Sequence, residues 1–413
     1  MHTMGKRPLI KVGRRTCICE GKLTGHRTHQ AMCHDLSGAS TVDFQTAQCT
    51  RRTCRTRIGP NFYWSKHKKI NFASMADIVK QGVLFISSKR CFSLSYLKLY
   101  ANLHFRCYVS SAGVAWCSLA GADAPEDIPS HFREMHADAL MYYLAIKEFE
   151  EIDRHKSIVV GDEISDVTLK KYDTHLHTQV YPPADRTSVT VLVGDGHMKV
   201  AGRCPGATGR YTGRPRKTTK NGMKVGKGKK NSGEKSPHNK KSNGWFMLCD
   251  PKSQRVLCVQ QMVSPENNLL TTAAIEKVLS LYKAVDTFVL DRNCQYAPSA
   301  SKLEGLSQIK YWPVEPWHGL KHTSKCRYCT KNVPSYKRRL KGVNCSICEQ
   351  TFAWFRGYAR TLNEMRHRRH VFLTLHYTRR HNENIDMGRV DYLNKFSVAK
   401  KKLNSRSYEC SKK

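Results

Sequence analysis

A chain of 413 residues with 40% hydrophobic residues is long enough for two or three domains with cores of their own, which excludes a wholly disordered protein. It carries 70 Lys and Arg against 33 Asp and Glu, a net charge of +37 that would self-repel around a small neutral substrate and points to a polyanionic partner, nucleic acid being the commonest. With no run of about 18 apolar residues and no signal-peptide core, a soluble intracellular protein without a membrane partner is expected.

In a reducing compartment the 17 cysteines are poor disulfide candidates, and their clustering favours metal binding. A basic, cysteine-rich, non-secreted chain points to the nucleus. Residues 1–70 hold Cys17, Cys19, His26, His29, Cys33, His34, Cys49 and Cys54 among few apolar residues, so a small zinc-binding module is expected there, held by metal rather than by a core. The pairs Cys17 with Cys19 and Cys49 with Cys54 supply the four soft ligands of a tetrahedral Zn²⁺ site. Scattered reduced thiols are the alternative.

Residues 71–185 read as a mixed α/β connecting region, in which the run from Ser130 predicts a helix with Leu140, Tyr143, Leu144 and Ile146 as an apolar stripe. Residues 186–395 read as the catalytic domain. There "TSVTVLVGDG" alternates Val189, Val191 and Val193 and breaks at Gly194-Asp195-Gly196, a strand that ends in an acid. Residues 203–244, rich in Gly, Lys, Ser and Asn, have almost nothing to bury and predict a disordered basic insertion. Residues 203–241 contain 13 Lys and Arg and the single acid Glu234, so the rest of the chain is basic in its own right.

Next, "WFMLCD" and "RVLCVQQM" flank the turn residues Asp250 to Gln254 and predict a hairpin. A helix fits Thr272 to Ala284, with Ile275, Leu279 and Tyr282 on one face. "DTFVLDRN" is a short strand carrying Asp291 at its end, "IKYWPV" a further short strand, and Glu349 to Met365 a helix with Phe352, Phe355, Ala359, Leu362 and Met365 at helical spacing. Residues 396–413 form a basic tail. Strand, hairpin, helix, strand, short strand, helix, with acids at the ends of the first and fourth strands and near the start of the last helix, fits an α/β ribonuclease-H-like fold. The first and fourth strands of such a sheet are neighbours, so Asp195 and Asp291 meet.

Two-metal phosphoryl transfer needs hard oxygen ligands around two Mg²⁺ ions about 4 Å apart, and Asp195, Asp291 and Glu349 supply them from three separate elements. Each has a plain alternative: a turn for Asp195 between its glycines, a cap for Asp291, and a capping box with Ser346 for Glu349. Between Asp291 and Glu349, residues 315–348 are expected to bind zinc through His and Cys. Cys326, Cys329, Cys345 and Cys348 have zinc-ribbon spacing, while His318 and His322 with Cys326 and Cys329 offer a second ligand set. If the cysteines bind zinc, Cys348 faces the metal while Glu349 faces the acids.

At these residues the chain resembles the Kyakuja-Dileera-Zisupton superfamily of DNA transposases, in the branch with upstream cysteine clusters. The matching pieces are "GDGHMK" around Asp195, "LDRNCQ" with Asp291 and Cys294, "WHGLKHTSKC" and "CEQTFAWFRGYARTLNEMRHRRHVFLTLHYTRRHN". Upstream, "FISSKRCFSLSYLKLYANLHFRCYVSSAGVAW" is similar to the segment after the cysteine cluster. Trp317 stands where the family is expected to have Phe. The resemblance implies a DDE-type enzyme with Asp195, Asp291 and Glu349 as a triad holding Mg²⁺ or Mn²⁺, residues 315–348 as a His/Cys zinc-binding insertion in the domain, structural zinc, transposon-end and target DNA as partners, and a homo-oligomeric assembly.

On this reading Arg366, Arg368, Arg369, Arg379 and Arg380 contact DNA phosphates, which position a duplex without reading its sequence; a solvated helix face is the alternative. Trp354 and Phe355 either stack on DNA or pack in the core. Two other functions fit the same residues: a domesticated, transposase-derived nuclear DNA-binding zinc protein without catalysis, and a plain nuclease without strand transfer.

Overall fold

The computed structural model describes residues 9–65, 68–71, 74–119, 130–152, 160–161, 178–181, 189–208 and 240–388. Most of the basic insertion and the whole basic tail lie outside the described residues. The protein is mixed α/β and divides into two compact units, Met1–Tyr172 and Asp173–Lys413. Among the described residues, no helix is long and apolar enough to cross a membrane.

The first unit is built on a long antiparallel hairpin of β2 (Leu23–Asp35) and β3 (Gly38–Cys49). Beyond β3 lie β4 (Arg57–Ile58), β5 (Phe62–Ser65), β6 (Lys68–Asn71) and β9 (Val160–Gly161), while β7 (Val83–Ser87) and β8 (Arg90–Ser93) extend the sheet on the β2 side. The short β1 (Leu9–Ile10) pairs with β3.

This part of the chain does build a core, contrary to the composition argument. Ala31, Cys33, Val42, Phe44, Phe62, Phe85 and Cys91 pack together, and Cys33 is one of the packed side chains. His34 is buried and stacks on Phe92 at 4.8 Å. The core assembles because β7 and β8, which come later in the chain, extend the sheet and add Val83, Phe85 and Cys91 to the few apolar residues of β2 and β3.

Helices α1 (Met75–Gln81), α2 (Leu94–Cys107), α3 (Ser111–Leu119) and α4 (Ser130–Ile152) complete the unit. Ser74 and Ser93 cap α1 and α2 by accepting the Asp77 and Tyr96 amides. In α4 every residue from Ala139 to Ile146 is buried, so the helix is enclosed on all sides there rather than along one stripe.

The second unit contains a five-stranded sheet in the order β10 (Thr178–Val180), β13 (Val256–Gln261), β12 (Trp245–Cys249), β11 (Val191–His197), β14 (Thr287–Val289). The β12–β13 hairpin forms as its sequence predicts, and β11 pairs antiparallel with β12 and parallel with β14. The "IKYWPV" segment reduces to two parallel bridges, Thr287 with Tyr311 and Leu290 with Val314.

Helix α5 (Asn268–Leu281) starts four residues earlier than the apolar pattern suggested, because the Asn267 side chain accepts the Leu270 amide and fixes the cap. Its Leu270, Ala274, Ile275, Val278 and Leu279 join Leu192, Phe246, Leu248, Leu257 and Phe288 in one core. The feet of the basic insertion are ordered, contrary to expectation. Arg203 pairs with Lys241, Cys204 N donates to Lys240 O at 2.7 Å, and Thr208 N to Val263 O at 2.7 Å.

Downstream lie α6 (Asn293–Ala300), α7 (Pro316–Gly319), α8 (Pro334–Arg339), α9 (Ile347–Phe355), α10 (Ala359–Leu362) and α11 (His367–Asp386). The single helix expected over 349–365 is therefore α9, a 3₁₀ turn at Arg356–Tyr358 and α10. His370 ties α11 to the sheet: its Nδ1 donates to Leu362 O at 3.0 Å, and its Nε2 accepts from Trp245 Nε1 at 3.1 Å. The same ring leaves no room beside Gly202, where a Cβ would lie 2.2 Å from His370 Cγ.

Candidate active site and metal centres

In the parallel pairing of β11 with β14, Val193 is in register with Val289. Asp195 and Asp291 each lie two residues further on. Neighbouring strands run about 4.8 Å apart, so this register brings both acids to one end of the sheet.

The strand does not break at the glycines. Gly194, Asp195 and Gly196 pair with Leu248, Met247 and Phe246 on β12, and β11 continues to His197. Close packing explains both glycines: a Cβ on Gly194 would approach Phe288 Cε2 to 2.9 Å, and one on Gly196 would approach Glu266 Oε2 to 2.3 Å. A turn role for Asp195 is thereby removed. A cap role for Asp291 is removed as well, since Arg292 occupies the N-cap of α6 and makes no side-chain cap bond.

Glu266 is an acid that the sequence reading missed. Its Oε1 accepts from Arg292 Nε at 2.7 Å, and Arg292 in turn reaches Asn268 Oδ1 at 2.6 Å and Thr271 Oγ1 at 2.7 Å. Because β13 runs parallel to β11 two strands away, the loop after β13 emerges at the same end of the sheet as Asp195. That topology was the available signal.

Burial pushes the Asp195 carboxyl up to about 8, and the negative neighbours Asp291, Glu266 and Glu349 push it the same way. Glu266 is also raised by burial, with Arg292 opposing. A carboxyl raised as far as that of Asp195 holds its proton near neutral pH unless a cation neutralises it, and carboxylate oxygen donors suit Mg²⁺ or Mn²⁺.

Glu349 sits exposed in the first turn of α9. The capping-box alternative does not form: the Ser346 hydroxyl donates to Glu315 Oε1 at 3.0 Å instead of serving its own helix. Ligand atoms of Glu315, His318 and Glu349 all lie within 4.8 Å of one another, with His318 Nδ1 against Glu315 Oε2. Glu349 thus joins Glu315 and His318 in one group, which among the described residues includes neither Asp195 nor Asp291, although its charge helps to raise the Asp195 carboxyl.

The zinc-ribbon set is not assembled. Cys348 is buried against the sheet, where its thiol donates to Val193 O at 3.2 Å, and burial and the neighbouring Cys249 push its pKa well up. Cys348, Phe352 and Phe355 follow at i, i+4 and i+7 and are all buried, so Cys348 belongs to the apolar stripe that docks α9. Cys345 is raised to about 12 by burial and by Glu315. Among the described residues of the insertion, His322, Cys326 and Cys329 come together, and His318 joins the acids instead.

The N-terminal ligand set does assemble. Cys17, Cys19, Cys49 and Cys54 have ligand atoms within 4.8 Å of one another. The Cys17–Cys54 and Cys19–Cys49 sulfur separations are 3.7 and 3.5 Å. Four sulfurs about 2.3 Å from one Zn²⁺ lie about 3.8 Å apart, so the spacing fits a tetrahedral ion.

Two tight turns aim these thiols. Cys17 N donates to Gly21 O at 2.8 Å and Cys54 N to Arg51 O at 3.0 Å, with Glu20 and Arg55 at positive φ. Bonds to the Thr56 hydroxyl and amide lower the Cys54 thiol to about 6, favouring the thiolate. His26 stays exposed and His29 bonds Thr46 Oγ1 at 3.0 Å.

Helix α11 is not a solvated basic face, since residues 370–378 are all buried. Arg366 at its N-cap is exposed, Arg368 and Arg369 are half-buried, and Arg379 and Arg380 pair with Glu383 at 3.4 and 2.6 Å. Trp354 and Phe355 are both core residues, Trp354 stacking on His381 at 4.7 Å.

No family model, curated protein or solved structure matches the chain. The functional reading therefore rests on the residues themselves.

Proposed function

We propose that the protein is a DDE-type DNA transposase of the Kyakuja-Dileera-Zisupton kind, with a ribonuclease-H-like catalytic domain and an Asp195, Asp291 and Glu349 triad. The strand order β13, β12, β11, β14, continued by the parallel bridges to Tyr311 and Val314, supports the fold reading. The observation that carries the function is the convergence of Asp195, Asp291 and Glu266 at one end of the sheet, where burial and the neighbouring carboxylates raise the Asp195 carboxyl, as a site that takes divalent cations would require.

When bound, the cations supply an activated oxygen nucleophile and neutralise the departing oxygen of a phosphodiester. Asp195, Asp291 and Glu349 would hold and orient them. Asp195 is fixed by its pairing in β11, Asp291 follows directly after β14, Glu349 is held by a helix anchored through Cys348, and Glu266 by the Arg292 clamp. His318, oriented by Glu315, lies beside Glu349 and is placed to hold or pass a proton at the reacting centre. Basic surfaces, Arg366 among them, draw the DNA in the nucleus.

A second reading, a DNA-binding zinc protein without catalysis, is favoured by the two Cys/His clusters, neither of which includes a member of the triad. The test is the joining of a labelled 3′-hydroxyl DNA end to a target duplex in Mg²⁺ or Mn²⁺. Joined product supports the transposase; hydrolysis alone makes the protein a nuclease; DNA binding with neither product, on cognate ends, leaves the non-catalytic reading.

A further inference from the structure

Glu315, His318 and Glu349 bring two carboxylates and one imidazole together from two elements. Their ligand atoms all lie within 4.8 Å of one another, with His318 Nδ1 in contact with Glu315 Oε2. Glu315 is the N-cap of α7 and His318 lies three residues on, a spacing that puts both side chains on one side of the turn, while Glu349 comes from the first turn of α9.

The group is held by its surroundings. Glu315 is only 6% exposed, and its other oxygen accepts from the Ser346 hydroxyl at 3.0 Å. Ser346 is the N-cap residue of α9, so that bond ties the start of one helix to the start of the other and orients the carboxylate, as outer partners do for metal ligands. Val314 bridges in parallel to Leu290, and Glu315 N donates to Leu290 O at 3.4 Å, so Glu315 and Asp291 each follow a bridged residue. Glu349 is exposed, which opens the group to solvent on one side.

We propose that Glu315, His318 and Glu349 bind a divalent transition-metal ion, Mn²⁺ in preference to Mg²⁺, through one imidazole nitrogen and two carboxylates. Oxygen donors alone suit Mg²⁺, whereas an imidazole among carboxylates favours first-row transition ions. Three protein ligands leave coordination positions for water, and Glu349 places them at the open side. The proton that His318 holds against Glu315 is the one an entering ion displaces. Glu349 is shared with the triad proposed above, but ligation by this group does not depend on that reading.

The test is pulsed electron paramagnetic resonance of Mn²⁺ bound to the full chain, read for coupling to a ligand nitrogen. The coupling is expected in the wild type, in Asp195→Asn and in His322→Ala, and its loss is expected in His318→Ala. Ser346→Ala keeps all three ligands and removes only the bond to Glu315, so it is expected to weaken Mn²⁺ binding about tenfold. Mn²⁺ bound to the wild type without nitrogen coupling, or coupling that survives His318→Ala, would overturn the assignment. Should His318→Ala fail to fold, unchanged Mn²⁺ affinity in Ser346→Ala would overturn it equally. The spectrum reads ligation rather than DNA cleavage, so a protein that shows the coupling but cuts no DNA retains this site while the proposed function fails.

Discussion

Asp195 and Asp291 each lie two residues beyond the register pair Val193 and Val289, Asp195 still within β11 and Asp291 in the turn that follows β14. The pairing therefore brings two carboxylates to one end of the sheet, and the Asp195 carboxyl is pushed up to about 8, chiefly by burial. A cation entering near pH 7 must displace a proton. Divalent-metal affinity is thus predicted to rise by up to about tenfold per pH unit from pH 6 to 8 and then level off. Calorimetric titration should show this slope in the wild type and its loss in Asp195→Asn.

The same shift has a stability consequence. An acid whose folded pKa is raised stabilises the fold fully below its unfolded value, near 3.8, and the contribution is lost as pH rises through about 8. Metal-free Asp195→Asn is therefore expected to melt higher than metal-free wild type at pH 8, by on the order of 1–3 kcal/mol, and saturating Mg²⁺ should reverse the order. Thermal denaturation with and without chelator checks both.

Four buried histidines, His34, His136, His370 and His381, and the half-buried His197 have pKa values lowered to about 4, in each case chiefly by desolvation. They fold neutral. As pH falls from about 6.5 to about 4 the unfolded chain takes up protons that the folded chain refuses, so stability must fall across that window. His370→Ala additionally leaves the Trp245 indole without its acceptor and opens a cavity, for an expected loss of about 2–4 kcal/mol in chemical denaturation.

Cys345 and Cys348 separate the packing role from the ligand role. Cys345→Ala and Cys348→Ala are predicted to leave zinc content unchanged, with Cys348→Ala costing about 1–3 kcal/mol through lost packing of α9 on β11 and β12. Gly21→Ala should act in the opposite sense. A Cβ there would sit 2.8 Å from Cys49 Sγ, so zinc at the N-terminal cluster should leave at least about tenfold more readily to a chelator, with the main core intact.

Local pattern read well where local physics decides. The β12–β13 hairpin, the short strand before Asp291 and the Cys17, Cys19, Cys49 and Cys54 set were legible because alternation and soft-ligand pairs are short-range signals. The sheet of the first unit was hidden because its core needs β7 and β8, which come after a helix. Cys348 was misread because CxxC spacing competed with the i, i+4, i+7 apolar period, and burial of α9 won. Glu266 and Glu315 carry no motif of their own; only the sheet's topology places one near Asp195 and the other beside Glu349.

The central claim is that Asp195, Asp291 and Glu349 act together on DNA, and it is tested most directly by Mn²⁺-dependent nicking of cognate DNA by the wild type and by Asp195→Asn, Asp291→Asn and Glu349→Gln, with fold and zinc content measured in each. The account predicts loss of at least about 100-fold in all three, with unchanged zinc and retained DNA binding. Nicking that persists in Asp195→Asn or Glu349→Gln would contradict it.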